Sequence, residues 1–258
     1  MDLHTVETFR PAAPDLAIGA GEAWVAGGTW LFSEPQPGVR GLVDLTALGW
    51  PAWERSESTL TIAATCTIAE LVARAEASGL PALAVARSCA ESLVMSTKIW
   101  GAATVGGNVC LALPAGAMTS LLAGLGATAV VLGPAGERRQ SVASFVRGVR
   151  ATSLAPGEVL RALELDLDVL ARPAACRRFS LTSMGRSGGV VVGRRVGDRF
   201  VLTITGSTAR PWVLDVDPEA VDDAVDAVAP WYDDLHGAPD WREAQTRRCV
   251  REIVEELS

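Results

Sequence analysis

The sequence predicts an α+β protein built in two parts, and three observations carry that prediction. Short apolar strands alternate with capped, amphipathic helices over residues 24–167. From Arg177 the texture changes to an antiparallel meander. The chain then closes on helices, the last of which carries an apolar stripe. The change of texture falls around Arg172 and Pro173, which divides the chain into residues 1–172 and 173–258.

The elements follow in order. Residues 24–26 form an apolar strand that runs directly into Gly27, Gly28 and Thr29. A second strand, residues 42–45, follows a Pro/Gly-rich stretch, and residues 60–63 alternate as a third. Thr67 and Glu70 make a capping box, in which each side chain satisfies the other's backbone N–H. Ile68, Leu71, Val72 and Ala75 then fall on one helical stripe. Pro81 opens a further helix through about Ser92, and a stretch of small residues follows over 100–108. Residues 118–125 read as a helix, 127–132 as a strand ending at Gly133 and Pro134, and 159–167 as another strand. In the second part, residues 178–181, 189–195 and 200–205 read as antiparallel strands, with Gly197 and Asp198 turning between the last two. Val250, Ile253, Val254 and Leu257 mark the apolar side of the final helix. Its Glu252, Glu255 and Glu256, with Arg242, Arg247, Arg248 and Arg251, read as a charged helix face.

Composition narrows the function. The chain has 258 residues, 49% apolar and 21% charged, which fits a folded globular protein and argues against disorder. Its net charge is −7, and Lys98 is the single lysine among 23 basic residues. Without a basic run there is no electrostatic footprint for nucleic acid. The most apolar stretch, residues 121–132, is 12 residues long, against about 20 for a bilayer crossing. It reads as a buried helix running into a strand, with no membrane span. The N-terminus has neither the basic region nor the apolar core of a signal peptide, so the expected location is cytoplasmic. The five cysteines show no Cys-x-x-Cys pair, so neither an iron–sulfur cluster nor a zinc ribbon is expected in this chain. With His4 and His236 the only histidines, histidine-based catalysis is unsupported, and the reading assigns no catalytic side chain and no metal ligand. Chemistry, if present, falls to a bound cofactor.

Two glycine-rich turns are the candidate binding elements: Ala26-Gly-Gly-Thr-Trp-Leu31 and Thr104-Val-Gly-Gly-Asn108. Glycines let backbone approach an anion and aim successive N–H groups at it, and Thr29, Thr104 and Asn108 add side-chain donors. Two such turns, each beside strand-like sequence, suggest a split pyrophosphate cradle. Neither fits the dinucleotide fingerprint Gly-x-Gly-x-x-Gly or the P-loop. Gly185-Arg-Ser-Gly-Gly189 reads as a loop between strands, and Asp166 and Asp168 as a solvated strand edge.

These turns, in this order, carry a resemblance, joined by Leu42-Val-Asp-Leu-Thr46, Leu60-Thr-Ile-Ala-Ala64, Leu125-Gly-Ala-Thr-Ala-Val-Val-Leu132 and Gly157-Glu-Val-Leu160. Over nearly its whole length the chain resembles the FAD-binding medium subunit of the xanthine dehydrogenase/carbon monoxide dehydrogenase family of molybdenum hydroxylases. The resemblance implies the two-subdomain FAD-binding fold of the vanillyl-alcohol-oxidase/molybdopterin-dehydrogenase type over residues 1–172. It implies a small C-terminal sheet-plus-helix domain over 173–258, like that of the carbon monoxide dehydrogenase flavoprotein.

The cofactor it implies is FAD. Its pyrophosphate would be wrapped by Ala26, Gly27, Gly28, Thr29, Trp30 and Leu31, and by Thr104, Val105, Gly106, Gly107 and Asn108, with Leu160 near the flavin. The implied function is electron transfer from a partner 2Fe-2S small subunit, itself fed by a molybdopterin-binding large subunit, to an acceptor. A stand-alone flavin oxidoreductase of the same fold and a flavin-free scaffold subunit are the alternatives. Three features depart from the family pattern: Pro114-Ala-Gly-Ala117 lacks the carboxylate of Pro-x-x-Asp, Trp30 follows Gly-Gly-Thr, and basic residues common before the second turn and near Phe179 are missing.

Overall fold

The computed structural model describes residues 3–258. β1 (Thr8–Pro11), β2 (Glu22–Val25) and β3 (Gly41–Asp44) make a small parallel sheet with β3 in the middle. After β4 (Trp53–Arg55) and β5 (Thr59–Ala63) come five helices: α1 (Ile68–Ala77), α2 (Ala86–Glu91), α3 (Thr97–Trp100), α4 (Val105–Leu111) and α5 (Ala117–Gly124). β6 (Thr128–Gly133) and β7 (Gly136–Ser141) form a hairpin. α6 (Val142–Phe145) leads to the ribbon of β8 (Val146–Gly148) and β9 (Ala151–Thr152). β10 (Val159–Asp166) then enters the centre of an antiparallel sheet ordered β4-β5-β10-β6-β7, and α7 (Leu167–Leu170) ends this part. The meander is four strands in sequence order, β11 (Ala174–Phe179), β12 (Gly189–Val196), β13 (Arg199–Thr205) and β14 (Trp212–Val216). It is covered by α8 (Val221–Asp226) and α9 (Pro239–Leu257).

Local chemistry explains the elements that were legible. Thr67 Oγ1 accepts the Glu70 N–H at 3.1 Å, and Ile68, Leu71, Val72 and Ala75 are buried, as the stripe predicts. The box is only half made, because the Glu70 carboxylate pairs with Arg74 instead of reaching back. Asp166 and Asp168 are both exposed at the end of β10, where Asp166 Oδ1 accepts the Asp168 N–H and caps α7.

The two parts meet at α5, all eight residues of which are buried. A Cβ on Gly124 would lie 2.5 Å from Val192 of β12, so only glycine lets helix and sheet approach this closely. Ser120 and Thr205 hydroxyls bond across the same interface at 2.6 Å. One core lies between the five-stranded sheet, the helices and the near face of β12, and a second between the meander and α9. Among the described residues no helix is long and apolar enough to cross a membrane.

One expectation fails on α9. Arg242 is not on the charged face but 1% exposed. Its guanidinium donates to the Gly237 carbonyl at 2.9 Å, to the Gly206 carbonyl and to the Asp234 carboxylate. A buried charge survives where its donors are matched in this way.

Candidate functional site

The two glycine turns are brought together by direct backbone contact. A Cβ on Gly27 would fall 1.9 Å from the Ala102 carbonyl oxygen, two residues before Thr104. Gly28 has φ +65°, and a Cβ there would meet the Phe32 ring at 2.4 Å. Glycine is therefore required twice, once for close approach and once for conformation. The Phe32 N–H closes the first turn on the Gly28 carbonyl at 2.8 Å.

Both turns open on one cleft of about 600 Å³. Ala26, Gly27, Gly28, Thr29, Trp30, Leu31, Thr104, Gly107 and Asn108, all expected from the sequence, line it. Val105, Gly106 and Leu160 do not. Val105 is fully buried, Leu160 lies 2% exposed in β10 opposite Val131, and Gly106 packs on Ala64, whose Cβ would come 2.4 Å from a Cβ at position 106.

The turns differ in what they offer. Among the described residues, the backbone N–H groups of residues 27–31 have no acceptor, and neither does the Thr29 hydroxyl. A run of such groups at the mouth of a cleft is a ready anion site. The second turn departs from the expectation that its N–H groups are available. It is the first turn of α4, stitched to the β5–α1 loop: Val105 N–H donates to the Cys66 carbonyl and Gly106 N–H to that of Ala64. Gly107 N–H donates to Thr104 Oγ1 at 3.1 Å, and Asn108 Oδ1 accepts the Met118 N–H at 2.8 Å. Thr104 and Gly107 thus shape the wall and bring little hydrogen-bonding capacity of their own. Ala117, where the family carboxylate is missing, is fully buried and does not line the cleft.

Sequence reasoning missed the cations. Arg150, at the tip of the β8–β9 ribbon with φ +55°, and Arg186, in the β11–β12 loop, both line the cleft, and no carboxylate does. Arg150 stacks 5.3 Å from the Trp30 ring centroid and pairs with Glu34 at 3.5 Å. No local pattern marks either arginine; the signal available was the Gly-rich loop around Arg186, read as structural. Trp30 Nε1 is buried without a hydrogen-bond partner. Leu93, Met95, Ile99 and Leu113 make an apolar wall, with Cys110 among them, its thiol pushed up to about 12 by burial. The arrangement can hold an anion at one end and a flat apolar group along the wall. Among the described residues no group of three or more His, Cys, Asp or Glu could hold a metal ion.

A family model described as the FAD binding domain in molybdopterin dehydrogenase matches residues 3–165. No match is found among curated protein sequences. Three solved structures share the fold at low identity. Quinoline 2-oxidoreductase from Pseudomonas putida 86 is 19% identical with TM-score 0.80, over 98% of this chain and 96% of that one. Carbon monoxide dehydrogenase from Hydrogenophaga pseudoflava, in a form lacking the Mo-pyranopterin moiety, is 21% identical with TM-score 0.82, over 98% and 96%. Reconstituted CO dehydrogenase from Oligotropha carboxidovorans is 22% identical with TM-score 0.82, over 98% and 97%.

Proposed function

Because the chain belongs to the family of FAD-binding domains of molybdopterin dehydrogenases, we propose that it is the electron-transfer flavoprotein subunit of a molybdenum hydroxylase. In this reading it takes electrons from a partner 2Fe-2S subunit, fed by a molybdopterin-binding large subunit, and passes them to an acceptor. FAD is the family's cofactor, and when bound it supplies reversible redox chemistry at its isoalloxazine ring. The division into an FAD-binding domain, 1–172, and a C-terminal domain, 173–258, is part of the proposal.

The observation that carries the reading is the first turn, whose residues 27–31, their backbone N–H groups without acceptors, line a cleft together with two arginines and no carboxylate. FAD fits what the residues offer, since it joins a diphosphate to flat, apolar-faced rings. The N–H groups of residues 27–31, Arg150 and Arg186 bind the diphosphate. Leu93, Met95 and Ile99 exclude water from one side of the cofactor. Thr104, Gly107 and Asn108 bound its path. Val105, Gly106 and Leu160 act from behind, keeping α4 and β10 in register with the cleft.

Losing a cation should be felt directly. Arg150→Met and Arg186→Met are each expected to lower FAD affinity about tenfold or more, in line with roughly 1.5–3 kcal/mol for a hydrogen bond to a charged group. Flavin titration of the apoprotein reads this out, with circular dichroism confirming the fold. Unchanged affinity in both variants would remove the arginines from the site.

The division of labour is tested by the chain alone. Reconstituted with FAD and free of partner chains, it is expected to show no oxidation of a purine or an aldehyde. Co-purification from its native source should bring a molybdenum-containing subunit with it. Turnover by the isolated polypeptide would overturn the multi-subunit reading.

A further inference from the structure

Two thiols meet where the parts of the chain join. Cys89 lies in α2, fully buried, and Cys176 lies half-buried in β11. The Cys89 thiol donates to Cys176 Sγ across 3.8 Å. Among the described residues no other pair of cysteines is in such contact. The surroundings hold the two elements in place. Arg178, two residues along β11, reaches the Glu91 carbonyl at the end of α2 at 3.5 Å, and Ser187 Oγ donates to the Ser92 carbonyl at 2.7 Å. A disulfide brings its sulfurs to about 2.05 Å, so the pair stands within about 2 Å of bonding distance.

We propose that Cys176 is a thiol-modification site for small-molecule disulfides, and that Cys89 resolves the adduct into an intramolecular Cys89–Cys176 disulfide. Cys176 gives its proton to solvent, and its thiolate attacks one sulfur of an oxidised disulfide RSSR, forming a mixed disulfide and expelling RS⁻, which takes a proton from solvent and leaves as RSH. Cys89 then attacks Cys176 Sγ and expels the second RS⁻, which takes the Cys89 proton and leaves as RSH. The balance is one RSSR and two protein thiols giving one protein disulfide and two RSH: the cysteines are oxidised by two electrons and RSSR is reduced by two.

The environment sets the order of attack. Cys176 is drawn below the usual thiol range by the hydrogen bond from Cys89 and then by the Arg177 and Arg178 charges, against the effect of burial. Burial instead pushes Cys66 and Cys110 up to about 12 and Cys249 up to about 11. Cys176 is also the less buried residue of the pair, Cys89 being fully enclosed. The new bond would tie α2 to β11 across the junction. Leu93 and Met95, just after α2, and Arg186, beyond β11, all border the cleft. The inference does not depend on what occupies that cleft.

The test uses the full chain with its flavin, equilibrated with oxidised glutathione and analysed by intact mass and peptide mapping. The expected result is loss of two hydrogens, a single linked peptide pair containing Cys89 and Cys176, and reversal by dithiothreitol. Cys89→Ser should stop at one glutathione on Cys176, and Cys176→Ser should take none on Cys89. A full count of free thiols, a stable glutathione adduct on the wild-type chain, or a linkage through another cysteine would each overturn the proposal. The wild-type map decides the matter even where a variant folds poorly.

Discussion

Gly107→Val is expected to give a folded protein whose FAD affinity is lower by about 100-fold or more, roughly 2.7 kcal/mol. Gly107 lines the cleft, and the one neighbour that a Cβ there would meet within 4 Å is Thr104 Oγ1 at 2.8 Å. That hydroxyl can turn away, and losing its cap on α4 costs about 1 kcal/mol, which a chain of this size tolerates. The two methyl groups of valine then occupy space that the ligand needs. The loss is one of volume: the Gly107 N–H is already committed to Thr104 and is not surrendered by a ligand.

Gly106→Val is the contrasting variant. Its Cβ would lie 2.8 Å from Ala64 Cα and 2.9 Å from the Ala64 carbonyl oxygen, fixed backbone that has no way to yield. That change should lower the unfolding midpoint, with flavin loss following from damage to the fold. The measurements are the flavin-to-protein ratio after gel filtration and the urea midpoint, taken on both variants. A folded Gly107→Val protein with its full flavin complement would show that this wall does not touch the cofactor.

Arg242→Ala is expected to destabilise the protein by about 2–4 kcal/mol, from two buried carbonyls left without a donor at roughly 1–3 kcal/mol each. Truncation strands the buried Gly206 and Gly237 carbonyls, while the Asp234 carboxylate, 27% exposed and still accepting the His236 N–H, loses its cation. Gly206 follows β13 with φ +77°, and its N–H donates to the Pro114 carbonyl at 2.7 Å, so this arginine braces a turn that touches the first part of the chain. Its guanidinium also lies 5.4 Å over the Tyr232 ring. Arg242→Lys should recover only part of the loss, because one ammonium lacks the fork that reaches three acceptors. Urea unfolding reads the effect as a lower midpoint at constant slope. An unfolding free energy within about 0.5 kcal/mol of wild type, the range of ordinary surface substitutions, would show that the three acceptors find other donors.

How much was legible in the sequence follows from where each element's partners lie. α1 could be read because its cap and its stripe sit within ten residues of one another. The core strands β5 and β10 announced themselves by alternation, β6 as an apolar run, and the meander as antiparallel strands with a tight turn. β1, β4, β7 and β14 escaped notice. Each is an edge strand, and β7, Gly-Glu-Arg-Arg-Gln-Ser, is polar throughout because one side faces water. Their existence depends on pairing with distant strands more than on their own residues.

The same division runs through the site. The sequence by itself determined the α+β class, the order of the two glycine turns, the family they point to and the absence of cluster-spaced cysteines. Only the tertiary structure decided what each glycine is for. Gly27 makes room for the Ala102 carbonyl, Gly106 for Ala64 and Gly107 for the cleft, and these distinctions lie in backbone approaches between segments far apart in the chain. It also decided which arginines matter. Arg150 and Arg186 converge on one cleft from unrelated loops, while Arg242, spaced like its charged neighbours on α9, turns inward to carbonyls of two other segments. Helical and strand periods are set by neighbours along the chain, whereas the burial of a charge is set by acceptors that only the completed fold brings within reach.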